Sequence, residues 1–162
     1  MTAIYQGTEG ASHHLTRATA DAWGVQGAWK FGIEVQCHYG DLDTNQHVNN
    51  VKYIEWCQDA REQYFHVVTG RWIMQADFSV VIRALDFTFE RPLSMGDHCF
   101  VTARTAELRN TSFIQHYSVW RSGLVGSGTA VCVLTDKKTS KKLSIPADLR
   151  SAIARLENTE LT

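Results

Sequence analysis

One segment limits the possible folds more than any other: NVKYIEWCQDAREQYFHVVTG, running from Asn50 to Gly70. Tyr53, Cys57, Ala60, Tyr64 and Val68 recur at steps of three and four, which is the spacing of one helix face. Ile54, Trp56, Phe65 and Val67 widen that stripe, and Gly70 suits a left-handed C-terminal cap. A helix apolar over so much of its circumference is expected to be enclosed by other elements rather than laid on a surface.

The enclosing elements read as strands. Upstream, Phe31, Ile33, Val35, Cys37 and Tyr39 alternate with Gly32, Glu34, Gln36 and His38, the period of a half-buried strand ending near Gly40. Downstream, strands are expected over residues 78–90, 97–107, 112–121 and 126–135, with turns at RPLSMGD, LRN and SGL. The apolar phase shifts between Ile82 and Leu85, which predicts a bulge or bend. DKKTSKK then turns into a short terminal helix that Pro146 can start. One strand, one long helix and four strands joined mostly by short turns imply an α+β fold with an antiparallel sheet wrapped around the helix, because parallel pairs need long crossovers. Such a sheet leaves an edge open, so dimerisation through an edge strand is expected.

At 162 residues and 44% hydrophobic content, the chain suits one domain. Residues 1–28 are rich in Ala, Thr, Gly and His without periodicity and read as a loosely packed, partly disordered extension, with the single domain over 29–162. A net charge of −1, with 16 basic and 17 acidic residues, supplies no broad field for nucleic acid. No apolar run is long enough to span a bilayer, and the first residues lack a basic start and an apolar core, so a cytoplasmic location is expected. Cys37, Cys57, Cys99 and Cys132 are scattered, so each reads as a small buried apolar residue rather than part of a disulfide framework or zinc site.

Chemistry concentrates in DLDTNQHVNN, residues 41–50. No G-x-S-x-G elbow occurs, and strand alternation separates Cys99 from His98 and Asp97, so the usual nucleophile arrangements fall away. Asp41, Asp43 and His47 precede the helix start near Asn49 or Asn50, where unpaired N–H groups can meet an oxygen gaining negative charge. A carboxylate beside that start can attack an acyl carbon or activate water. So sparse a site suits a thioester, whose thiol leaving group has a pKa of about 8.5 and needs no strong acid. The same residues also read as turn formers and helix caps, and as a D-x-D-x-x-x-H metal cluster with no second ligand group.

YGDLDTNQHVNNVKYIEW resembles the D-x-D-x-x-G-H-V-N-N-x-x-Y signature of hot-dog-fold acyl thioesterases of the 4-hydroxybenzoyl-CoA thioesterase type. ALDFTFERPLSMGDHCFVTART is similar to that family's second strand, turn and third strand, and AVCVLTDKKTSKKLSIPADLR to its closing strand and end. Together these blocks cover residues 31–156. The resemblance implies a five-stranded antiparallel sheet around one central helix, hydrolysis of an acyl-CoA or acyl-carrier-protein thioester, no metal or other cofactor, and a homodimer or homotetramer with active sites at the interface. It matches Asp43 to the catalytic nucleophile or general base and Asn50 to the N–H that polarises the carbonyl. His47 and Asn49 match positions that orient the acyl group, water or the loop.

Tyr53, Trp56 and Phe78 are then candidates to line the acyl tunnel. Arg83, Arg91 and Arg104, and the lysines at 137, 138, 141 and 142, are candidates for phosphate contacts or plain solvated surface. The family's glycine before the histidine is Gln46 here, a departure expected to act on a positive-φ position or the pocket mouth. The alternatives are a dehydratase or isomerase of the same fold using His47, and a non-catalytic acyl-thioester-binding protein.

Overall fold

The computed structural model describes residues 13–158. Its elements are β1 (His13–His14), α1 (Arg17–Trp23), β2 (Phe31–Gln36), α2 (Asn50–Thr69), β3 (Phe78–Phe89), β4 (His98–Leu108), β5 (Ser112–Trp120), β6 (Leu124–Asp136) and α3 (Ala147–Glu157). The five expected strands form one antiparallel sheet, and β1 adds a two-residue sixth strand beside β2, giving the order β1-β2-β4-β5-β6-β3. With α2 laid along one face, this is the expected α+β hot-dog architecture.

Both ends of α2 follow from local chemistry. Asn49 caps the start, its Oδ1 accepting the Val51 N–H at 3.0 Å, and Gly70 ends the helix at φ 70° with its N–H on the His66 carbonyl. Tyr53, Trp56, Cys57, Ala60, Tyr64 and Phe65 are buried, and Phe65 meets Phe113 of β5 edge to face at 5.4 Å. Burying each such large side chain stabilises the fold by roughly 1.5–3 kcal/mol. Arg61 is buried among them, donating from Nη1 to the Tyr117 hydroxyl at 2.9 Å, which donates to Gln115 Oε1 at 2.6 Å.

The expected phase shift in β3 is a bulge: the register with β6 slips between Ile82 and Ala84. Beyond it, Phe87 lies across β6 in space left by Gly126 and Gly128, where an added Cβ would stand 2.6 Å from its ring atoms in both cases. The outer edge of β3 has no strand partner among the described residues, and Val81, Leu85 and Phe89 are exposed along it.

One expectation is corrected. β2 stops at Gln36 and Tyr39 is 79% exposed, because Asp41 Oδ2 accepts the His38 N–H at 2.8 Å and draws residues 39–41 into a 3₁₀ turn. The extension, expected to be loosely packed, carries regular structure from His13 onward, and its Trp23 stacks on Phe100 at 6.0 Å, although no residue of α1 is buried. The first twelve residues lie outside the described residues. No helix among those described is long and apolar enough to cross a membrane, and all four cysteines are buried and free.

Candidate active site

The two acids of the 41–50 loop have different surroundings. Asp41 is spoken for: Oδ2 caps the 3₁₀ turn, Oδ1 pairs with Lys52 Nζ at 3.2 Å, and its carbonyl accepts the Asn49 N–H at 2.7 Å. Asp43 closes its own small loop, its N–H donating to the His47 carbonyl at 2.8 Å and its carbonyl accepting the Gln46 N–H at 3.1 Å. The side-chain bonds of Asp43 fall on Oδ1, from Asn45 N–H at 2.7 Å and His47 N–H at 3.4 Å. Among the described residues, Oδ2 carries no such bond and is the oxygen available to a ligand.

Closing five residues this tightly needs one left-handed position, and Gln46 supplies it at φ 61°. The position where the resemblance has a glycine thus adopts, with glutamine here, a conformation that glycine takes without strain. Val48 then anchors the loop: it is buried, bridges Leu42, and donates its N–H to the Leu93 carbonyl at 2.8 Å in the turn between β3 and β4.

A cleft of about 300 Å³ opens at this point. Asp43, His47, Val48, Asn50 and Tyr53 line one side, and Phe89, Glu90, Arg91 and Pro92 the other. Asn49 uses its side chain on Val51, and among the described residues no protein acceptor takes the Asn50 N–H. The cleft therefore brings Asp43 and Asn50 together at the positive end of a 20-residue helix. Tyr53, Phe87 and Phe89 form an aromatic cluster at its inner edge, with ring centroids 4.9 to 5.7 Å apart. Burial, reinforced by the Cys37 and Cys99 thiols, pushes the Tyr53 hydroxyl up to about 12 and keeps it neutral.

Of the predicted site residues, Asp43, His47, Asn50 and Tyr53 meet in this cleft, and Asn49 stands behind it as the cap. Trp56 does not line it, being 6% exposed in the core against Tyr53 at 5.3 Å. Phe78 lies at the opposite end of β3 from Phe89. Arg91 reaches the cleft, yet its guanidinium is engaged by three backbone carbonyls. Arg104 lies over the Trp29 ring at 5.0 Å, and Lys137 ties to the Met74 and Ala76 carbonyls. Sequence reasoning missed Phe89, Glu90 and Pro92. The turn containing them was visible, but its meeting with residues 41–50 depends on the chain's return through β3. Among the described residues, no three His, Cys, Asp or Glu side chains gather as metal ligands.

The family model described as Thioesterase-like superfamily matches residues 37–153. The long-chain acyl-CoA thioesterase FadM of Escherichia coli K12 is 27% identical over 121 residues, 71% of this chain and 90% of that protein. A thioesterase-superfamily structure from Jannaschia sp. CCS1 superposes with a TM-score of 0.79 at 25% identity, covering 91% of this chain and 96% of that one. A thioesterase from Thermus thermophilus, solved with coenzyme A and Zn, superposes with a TM-score of 0.72 at 27% identity, covering 80% of this chain and 96% of the other.

Proposed function

We propose, from the premise that this chain belongs to the thioesterase-like superfamily, that it hydrolyses an acyl thioester to a free carboxylic acid and a thiol. The observation that supports the reading is that Asp43 and Asn50 line one cleft, with Asp43 Oδ2 and the Asn50 N–H without protein partners among the described residues and Asp41 already committed to the loop. The thioester carbonyl oxygen points at the helix start, where the Asn50 N–H stabilises the charge that develops on it. Asp43 attacks the acyl carbon or takes a proton from the attacking water, and the thiolate departs unaided. His47, which lines the same cleft, orients the acyl group or water.

Coenzyme A is the proposed carrier, supported by the acyl-CoA thioesterase relative and by the coenzyme A bound to the Thermus neighbour. A carrier-protein thioester is the second substrate to assay. The exposed apolar edge of β3, next to Phe89 in the cleft, supports a second copy completing the acyl pocket. A cytoplasmic location belongs to the same proposal.

The test is Asp43→Asn, assayed by thiol release from acyl-CoAs of several chain lengths and from aryl-CoAs. Loss of a general base or nucleophile lowers kcat by at least about 10²-fold. Undiminished turnover in a folded variant sinks the assignment.

A further inference from the structure

α1 ends on the turn between β5 and β6. Gly24, in the left-handed region at φ 68°, packs so closely that an added Cβ would stand 2.5 Å from the Gly123 nitrogen. The Gly123 N–H donates to the Trp23 carbonyl at 3.2 Å, and the Trp23 ring is stacked on Phe100.

The same turn holds Arg91. Its Nη2 donates to the carbonyls of Arg121 at 2.7 Å and Gly123 at 3.1 Å, and its Nε to that of Leu124 at 3.0 Å. The N–H groups of Glu90 and Arg91 both reach the Val125 carbonyl, at 2.8 and 3.1 Å. A second strut runs from Arg121 to Asp97 at 2.8 Å, and Asp97 accepts the Ser94 N–H at 2.9 Å. Residues 90–97 are thus fastened to residues 121–125 from both ends. That stretch supplies Glu90, Arg91 and Pro92 to the cleft and the Leu93 carbonyl that anchors Val48.

An arginine that lines a cleft ordinarily offers its fork to an anion. Here the fork is used on carbonyls of a turn that α1 also grips. We propose that residues 16–24 are a positioning element of the cleft: α1 fixes the 121–124 turn, the turn fixes Arg91, and Arg91 fixes the 89–93 wall that shares the cleft with Asp43. The proposal rests on the reading of this cleft as the thioester site. Arg91 acts on the wall's position and not on the reacting atoms, so loosening it affects substrate binding more than the chemical step.

The experiment uses the full chain carrying Gly24→Ala, with Trp23→Leu as the second variant should the first fail to fold. Amide hydrogen exchange is followed over residues 13–25 and 90–97, alongside KM and kcat for thioester hydrolysis. Coupling predicts exchange at 90–97 faster by about five-fold. It also predicts KM raised about three-fold or more with kcat within about two-fold, whereas plain loss of folded protein lowers apparent kcat at constant KM. Faster exchange confined to residues 13–25, or an unmoved KM, overturns the proposal. If the chain hydrolyses no thioester, the functional reading falls, and exchange at 90–97 alone decides the coupling.

Discussion

The side-chain oxygen of Asn49 accepts the Val51 N–H at 3.0 Å, capping α2 one position past its start, while the N–H of the cleft-lining Asn50 has no protein acceptor among the described residues. The cap and the proposed oxyanion site are adjacent parts of one helix terminus. Asn49→Ala is expected to cost about 1 kcal/mol of stability through the lost cap. Asn49→Asp keeps an oxygen acceptor and is expected to hold stability within about 0.5 kcal/mol of the parent. Urea midpoints of the three proteins check this, and an equal loss in both variants shows that the cap is not the source.

Gln46 occupies a left-handed conformation at φ 61° in the loop that carries Asp43. Replacing it with glycine relieves strain in the folded state, partly offset by the freer unfolded chain, so Gln46→Gly is expected to raise stability by up to about 1 kcal/mol. A β-branched residue fits this conformation worst, and Gln46→Val is expected to destabilise by about 1–2 kcal/mol. Thermal unfolding of both variants is the measurement. Stability falling with glycine and rising with valine contradicts the loop geometry.

Glu157, near the end of α3, accepts the Tyr64 hydroxyl at 2.7 Å and the Thr105 N–H at 3.0 Å through the same oxygen. Burial raises its carboxyl above the ordinary 4.5 despite those bonds. A carboxyl whose folded pKa is raised contributes stability that is fully present below its unfolded pKa and is lost as pH rises through the folded pKa. Glu157→Gln keeps the acceptor oxygen and removes the ionisation. The stability of the variant relative to the parent is therefore expected to increase as pH rises from 4, then level off once the native carboxyl has ionised. Denaturation at pH 4, 6 and 8 tests this, and a pH-independent difference contradicts it.

Arg61 and Tyr117 form a buried pair between α2 and β5 at 2.9 Å. Tyr117→Phe leaves a buried guanidinium short of an acceptor, so a loss of about 1.5–3 kcal/mol is expected. The double variant Arg61→Met with Tyr117→Phe is expected to cost less than the sum of the two single changes, because it removes the stranded charge along with its partner. A double-mutant cycle by chemical denaturation measures the coupling. Strict additivity shows that the bond contributes nothing beyond packing.

Much of this molecule is local and hence readable in the chain. The start and end of α2 depend on Asn49 and Gly70 acting over one turn, the strands on alternation, and the β3 bulge on a phase change visible between Ile82 and Leu85. The resemblance favoured Asp43 over Asp41, and a further ground for that proposal is three-dimensional: the Asp41 side chain is engaged by His38 and Lys52, one of them on the helix. The same limit explains Tyr39, whose alternating position suggested burial until the Asp41 cap bent the chain away from the sheet. Trp56 has the composition of a tunnel residue, yet only the packing of α2 against Tyr53 and the sheet turned it into core.

What the sequence determined by itself was therefore the elements, the wrapped-helix architecture and the residues capable of the chemistry, because each rests on interactions within a few positions or on a repeating period. What the tertiary structure decided was which of those residues share a cleft. Phe89, Glu90 and Pro92 reach Asp43 because β3 returns beside the 41–50 loop and Leu93 pins Val48. Arg91 is held by a turn some 30 residues away in the chain. Contacts closed over such distances depend on the packing of whole strands, for which no local pattern carries a signal.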